Sequence, residues 1–218
     1  MLFRSAIAAG VASSVPISAP TTTVPATSGR PVLADTPPTT VAVTGPPTGP
    51  STTVDPIDLI PTQAFGESVM LGAVGELNAG GIVVDAAVSR QGTDMAEILE
   101  RMRANGQLGR VVIIQTGTNG YVNDANFDRI MAQLPPDLTP TVIFLTVRAP
   151  RDWISHNNAR IRALPQRFPN VVVLDWEAAS AAILDQLSTD GFHLRTFAAK
   201  QFYANLIFDA IGRPDLKK

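Results

Sequence analysis

Short apolar runs recur through the last two-thirds of the chain, at positions 63–65, 81–84, 111–115, 142–146 and 171–174. All but the first are rich in β-branched residues and lack polar alternation, as expected of strands covered on both faces. Between them the apolar spacing changes to that of a helix, over 69–77, 95–105, 127–134, 157–164, 178–187 and 197–211. In Asp94-Met-Ala-Glu-Ile-Leu-Glu-Arg-Met-Arg, for example, Met95, Ile98, Leu99 and Met102 share one face, with Thr93 or Asp94 as the cap. Asn105-Gly106 and Gly212-Arg213-Pro214 supply stops. Strand–helix alternation with connections of this length predicts a parallel sheet with right-handed crossovers. The expected fold is a three-layer α/β/α sandwich of about five strands, flavodoxin-like, in the order 2-1-3-4-5. Ligands of such sheets bind beyond the carboxyl ends of the strands.

The first 61 residues break this pattern. Residues 1–20 place a positive charge, Arg4, before a short and weakly apolar stretch, too short to span a bilayer as a free-standing helix. They read as a weak signal peptide, as the end of a membrane segment, or as a disordered terminus. Residues 21–61 are rich in Thr and Pro, and eleven of the 18 prolines precede residue 62. Proline removes donors and holds the chain extended, so this segment is expected to be a disordered, semi-rigid linker of the kind that lifts a domain off a surface. Residues 62–218 form the expected folded domain, long enough to bury about 70% of its unfolded surface.

Composition narrows the chemistry. A net charge of −2 gives no basic footprint for nucleic acid. The absence of cysteine removes disulfides and thiolate metal sites. His156 and His193 are the only histidines, which excludes a metal site built on several imidazoles and limits an imidazole base to one of the two. No cofactor or metal is implied. A nucleotide site is not supported either, because neither G-x-G-x-x-G nor a P-loop follows the first strand.

The polar residues just after the strand runs carry the remaining signal. The first run ends in Gly66-Glu67-Ser68-Val69, the third in Thr116-Gly117-Thr118-Asn119-Gly120, and the last helix is preceded by Asp190-Gly191-Phe192-His193. One rim of the sheet therefore gathers a serine, an asparagine in a glycine-flanked loop, and Asp-x-x-His. A serine hydroxyl needs a base, and a histidine with a pKa near ~6.5 suits that work. His193 needs an acceptor on its other ring nitrogen, which Asp190 can supply from three residues away. Asn119 can aim its amide N–H at a developing oxyanion, joined by the Ser68 N–H at a helix start. Arg148 and Trp153, after the fourth strand, are candidate substrate contacts.

These motifs, in this order and near this spacing, resemble the SGNH (GDSL-like) hydrolases. Within that family the likeness is to the extracytoplasmic SGNH domain that follows the membrane part of acyltransferase-3 proteins, of which peptidoglycan O-acetyltransferases are examples. It extends through Gly66-Glu-Ser-Val-Met-Leu-Gly-Ala73, Val84-Asp-Ala-Ala-Val-Ser-Arg-Gln91, Val147-Arg-Ala-Pro-Arg-Asp-Trp153 and Val173-Leu-Asp-Trp176. The resemblance implies Ser68 as nucleophile, His193 as base, Asp190 as its partner, and an oxyanion hole of Ser68, Asn119 and residue 89. Two positions depart from the family pattern. Glu67 stands where Asp is usual, and Ser89 stands where the oxyanion glycine is expected.

The implied activity is that of a serine esterase or O-acyltransferase working on acyl esters, acetyl above all, of cell-envelope carbohydrate. The implied partners are an acyl ester substrate, a polysaccharide or sugar acceptor, and a membrane acyltransferase-3 component. The implied location is extracytoplasmic. The alternative is a catalytically idle SGNH-fold module that binds carbohydrate or serves as a scaffold, and Glu67 and Ser89 are its support in the sequence.

Overall fold

The computed structural model describes residues 59–218. The expected leader (1–20) and most of the Thr/Pro linker (21–61) lie outside the described residues. In chain order the elements are β1 (Gln63–Gly66), α1 (Ser68–Gly72), α2 (Val74–Ala79), β2 (Val83–Ala86), α3 (Gly92–Ala104) and β3 (Val111–Gln115). They continue with α4 (Asp124–Met131), β4 (Thr141–Leu145), α5 (Ile154–Arg167), β5 (Val171–Leu174), α6 (Trp176–Ala179), a 3₁₀ segment (Ser180–Gln186) and α7 (Phe197–Ala210).

The five strands are parallel and lie in the order β2-β1-β3-β4-β5, as the pattern predicts. Side chains alternate across the sheet with the period of two that a strand imposes. Ala64, Ile113 and Ile143 face one layer, where they pack with Met70, Leu77, Tyr203, Ile207 and Phe208 of α1, α2 and α7. Phe65, Val112, Ile114, Val142 and Phe144 face the other, against Met95, Leu99, Phe127, Ile130 and Ile161 of α3, α4 and α5. Each fully buried Ile, Leu or Phe of these layers contributes about 1.5–3 kcal/mol. The sandwich is thus covered on both faces, and only the strand ends remain for chemistry.

Beyond shifts of one to three residues at the ends of other elements, four elements differ from the pattern-based expectation. The helix expected over 69–77 is divided at Ala73 (φ −109°), where flanking Gly72 and Gly75 weaken helix propensity and the buried Ala73 turns α2 onto the sheet. The second strand starts at Val83, because Gly81 (φ +80°) is used for the preceding turn, and it runs on through Asp85 to Ala86. The cap of α3 is Gln91, and Asp94 instead reaches back to accept the Gln91 N–H at 2.8 Å. The helix expected over 178–187 is a short α6 followed by 3₁₀ turns with a break at Ile183 (φ −132°). Among the described residues no helix is long and apolar enough to cross a membrane.

Candidate active site

At the carboxyl end of β1 the chain turns at Glu67 and enters α1 with Ser68. Gly66 is required there, because a Cβ would lie 2.4 Å from the Met70 sulfur. The Met70 N–H, one of the helix's unpaired donors, is taken by Gln115 Oε1 at 3.1 Å, and the Leu71 N–H closes the first turn on Glu67 O at 3.0 Å. Ser68 Oγ lies 2.8 Å from His193 Nε2, across 125 residues of sequence. On the other side of the ring, His193 Nδ1 lies 2.7 Å from Asp190 Oδ2. Asp190 Oδ1 also accepts the N–H groups of Phe192 (3.1 Å) and His193 (3.2 Å), so one carboxylate both folds the turn and orients the imidazole. Burial alone would raise the Asp190 pKa. The His193 hydrogen bond and the two backbone donors outweigh it and hold the carboxyl below its ordinary value. The sequence-predicted serine, histidine and aspartate are therefore brought together, in an arrangement that can move a proton from a serine hydroxyl to an imidazole.

The departure at Glu67 proves to be a structural tie. Its side chain is fully buried. Oε1 accepts the Gly117 N–H and Oε2 the Thr118 N–H, each at 2.8 Å. Both carboxylate oxygens are thus used to hold the loop that carries Asn119. Burial pushes the Glu67 carboxyl up, while the nearby Thr118 hydroxyl and the backbone N–H groups pull the other way. Desolvation wins. Full burial, with the Glu67 charge added to it, pushes the Tyr203 hydroxyl well above its ordinary value.

Asn157 holds the loop from below. Its fully buried amide donates to Gly117 O and Gly120 O at 2.8 Å and accepts the Val122 N–H at 2.9 Å. Gly117 (φ +115°) lies so close to this amide that a Cβ would meet Asn157 Nδ2 at 3.0 Å. Sequence reasoning placed Asn157 at a helix start and gave Glu67 no partner in the Asn119 loop. The glycines at 117 and 120 were the available signal for that loop, since they mark a tight segment that something must hold.

Ser89 is the other departure. Its φ is +59°, the one left-handed non-glycine backbone among the described residues. This explains why a glycine is expected at the position: only glycine adopts that conformation without steric cost. The chain keeps the turn and bears the strain. Asn119 Nδ2 donates to Arg90 O at 3.2 Å, which brings the Asn119 amide to the end of β2 beside this turn.

Arg148 and Trp153 also reach the rim. The Arg148 guanidinium donates to Gly191 O (3.2 Å) and Glu177 O (3.3 Å) and lines a cleft with Pro150, Glu177 and Asp190. Its donors thus brace the segment that carries Asp190 and His193. Trp153 Nε1 donates to Thr118 O at 3.2 Å, and its ring tilts against the exposed Tyr121 at 5.9 Å. His156 lies in α5, edge-on to Tyr121 and 3.0 Å from Arg160. Trp176 is core, packed edge-on to Tyr203.

A parallel α/β/α sandwich with Ser, His and Asp aligned on its carboxyl rim defines the class as an SGNH-type hydrolase fold. The known proteins that the chain resembles point the same way. It is 30% identical over 147 residues to the peptidoglycan O-acetyltransferase OatA of Listeria monocytogenes, covering 66% of this chain and 23% of that protein. It is 26% identical over 139 residues to the O-acetyltransferase OatA of Staphylococcus aureus, covering 62% and 23%. Among solved structures it matches the C-terminal catalytic domain of Streptococcus pneumoniae peptidoglycan O-acetyltransferase A, bearing a methylsulfonyl adduct. The TM-score there is 0.62 at 25% identity, over 72% of this chain and 95% of that domain. The matched region spans less than a quarter of the length of the curated relatives. No protein-family model matches the chain. In fold and in sequence the chain is thus similar to the SGNH (GDSL-like) domains of peptidoglycan O-acetyltransferases.

Proposed function

We propose that residues 62–218 form a serine esterase or O-acyltransferase domain that carries acyl groups, acetyl above all, on Ser68. The observation that carries this reading is the continuous relay from Ser68 Oγ to His193 Nε2 at 2.8 Å and from His193 Nδ1 to Asp190 at 2.7 Å. In the first half-reaction Ser68 Oγ attacks the ester carbonyl and His193 Nε2 takes the hydroxyl proton. Asp190 holds the imidazole in the tautomer with its proton on Nδ1 and stabilises the imidazolium. The oxyanion is received by the Ser68 N–H and the Asn119 amide, with the backbone of Ser89 as the third contributor. His193 then returns the proton to the leaving alcohol, which departs as the acyl-enzyme forms. In the second half-reaction an incoming hydroxyl loses its proton to His193 and takes the acyl group. Water gives hydrolysis, and a sugar hydroxyl gives transfer.

The names of the relatives support a cell-envelope carbohydrate, peptidoglycan in particular, as the acceptor. The Thr/Pro-rich segment before the domain supports an extracytoplasmic position with a membrane acyltransferase-3 component as the acyl source. The idle-module alternative drew on Glu67 and Ser89. Glu67 keeps a two-oxygen grip on the Asn119 loop and Ser89 keeps the left-handed turn, which favours the active reading.

The test is Ser68→Ala. The wild-type protein is expected to hydrolyse a short-chain nitrophenyl ester and to be labelled stoichiometrically by a fluorophosphonate, and the variant to do neither. A variant with wild-type turnover overturns the assignment. Mass analysis of an oligosaccharide incubated with an acetyl donor separates transfer from hydrolysis.

A further inference from the structure

We infer that Arg90 is a positioning residue that aligns the oxyanion site of Ser68; this rests on the serine mechanism proposed above. Arginine is rarely buried without partners, because its charge is costly to remove from water. Here the side chain is 8% exposed. Its bonds are not those of a simple surface ion pair. Nη1 donates to Gly66 O at 3.2 Å and to Asp85 O at 2.5 Å, and Nη2 donates to Asp85 Oδ1 at 2.5 Å. Gly66 ends β1, two residues before Ser68, and Asp85 lies in β2, next to Ala86, the register partner of Gly66. One guanidinium therefore ties the carboxyl ends of two neighbouring strands, and a rigid planar fork suits that task.

The main chain of the same residue reaches Asn119. Arg90 O accepts Asn119 Nδ2 at 3.2 Å. A primary amide nitrogen carries two N–H bonds, so fixing one of them on Arg90 fixes the direction of the other. The strained residue Ser89 stands immediately before. Its turn is closed by Gln91 Nε2 on Ser89 O at 3.0 Å and by the three Arg90 bonds behind it. The backbone of Ser89, the approach to Ser68 and the amide of Asn119 thus all take their position from Arg90. Arg90 touches neither the nucleophile nor the base, so it acts through geometry alone. Misplacement of a preorganised donor by about 1 Å costs roughly 10² in rate.

The experiment compares wild type, Arg90→Met and Arg90→Lys with a short-chain nitrophenyl ester, with turnover normalised to the end-point fluorophosphonate stoichiometry at Ser68. We expect Arg90→Met to lower kcat per labelled site by about 10²-fold with KM little changed, and Arg90→Lys to recover part of the loss. A residue that only stabilises the fold would lower the labelled fraction and leave kcat per site intact, and that result overturns the inference. A rise in KM with kcat unchanged overturns it too, because it marks a substrate contact. Absence of Ser68-dependent turnover in the wild type overturns the underlying mechanism and this inference together, whereas normal wild-type turnover with an unaffected Arg90→Met removes the inference alone.

Discussion

The carboxylate of Glu67 accepts the backbone N–H of Gly117 at 2.8 Å, across a separation of 50 residues. With the second bond to Thr118 it links the turn before Ser68 to the loop that carries Asn119. In Glu67→Gln the amide keeps one acceptor and turns an NH₂ toward the other N–H. A buried donor left unsatisfied costs about 1–3 kcal/mol, so the unfolding free energy is expected to fall by that amount and kcat to fall with it. The wild type carries a pH signature that the variant lacks. The folded-state pKa of Glu67 is raised, so the folded protein holds this proton more tightly than the unfolded chain. Its contribution is fully present below the ordinary value of 4.5 and is lost as pH rises through the folded value. Chemical denaturation across that window should show the slope in wild type and lose it in Glu67→Gln.

Asp190 has the opposite sign. Its folded-state pKa is lowered, so its contribution is fully present above the ordinary value of 3.8 and is lost as pH falls through the lower folded value. The carboxylate thus stays ionised wherever His193 can act as a base. Asp190→Asn replaces the acceptor with an amide that favours the wrong imidazole tautomer, and we expect kcat to fall by roughly 10⁴-fold. Steady-state kinetics at neutral pH checks this. A loss of less than tenfold would show that another group orients the ring.

Ser89→Gly should relieve the left-handed backbone. The relief is about 1–2 kcal/mol, offset by about 0.5–1 kcal/mol of added freedom in the unfolded chain. A small net gain in thermal stability with ester turnover retained is expected. Ser89→Val places a β-branched side chain at φ +59° and should cost about 1–3 kcal/mol. Melting curves of the pair test the strain directly, because the two substitutions must move in opposite directions.

Arg148 was a candidate substrate contact, and its bonds to Gly191 O and Glu177 O point instead to support of the Asp190–His193 segment. Arg148→Ala is then expected to reduce kcat toward even a small uncharged ester, by up to about 10²-fold as the relay loosens. If only the KM for a carbohydrate ester rises, the guanidinium is a substrate contact.

Much of this protein was legible before any fold was seen. The runs at 111–115 and 171–174 became strands with those bounds, and the alternation of runs and helices implied the parallel order. Ser68, Asn119, Asp190 and His193 stood out because each follows a strand or precedes the last helix, where such sheets keep their chemistry. The limits of the reading lay where tertiary packing overrides propensity, as at Ala73 and in the 3₁₀ turns after α6.

By itself the sequence determined the alternation of strands and helices and the residue types on one rim, because apolar periodicity and turn chemistry are local properties of the chain. Only the tertiary structure decided how those residues are held. Glu67 meets Gly117, Asn157 meets Gly120, and Arg90 meets both Gly66 and Asn119 through hydrogen bonds between loops distant in sequence. Their partners are mostly backbone N–H and C=O groups, which every residue carries, so no side-chain pattern announces them. Burial then makes each bond matter, since a group removed from water must find its partner within the fold.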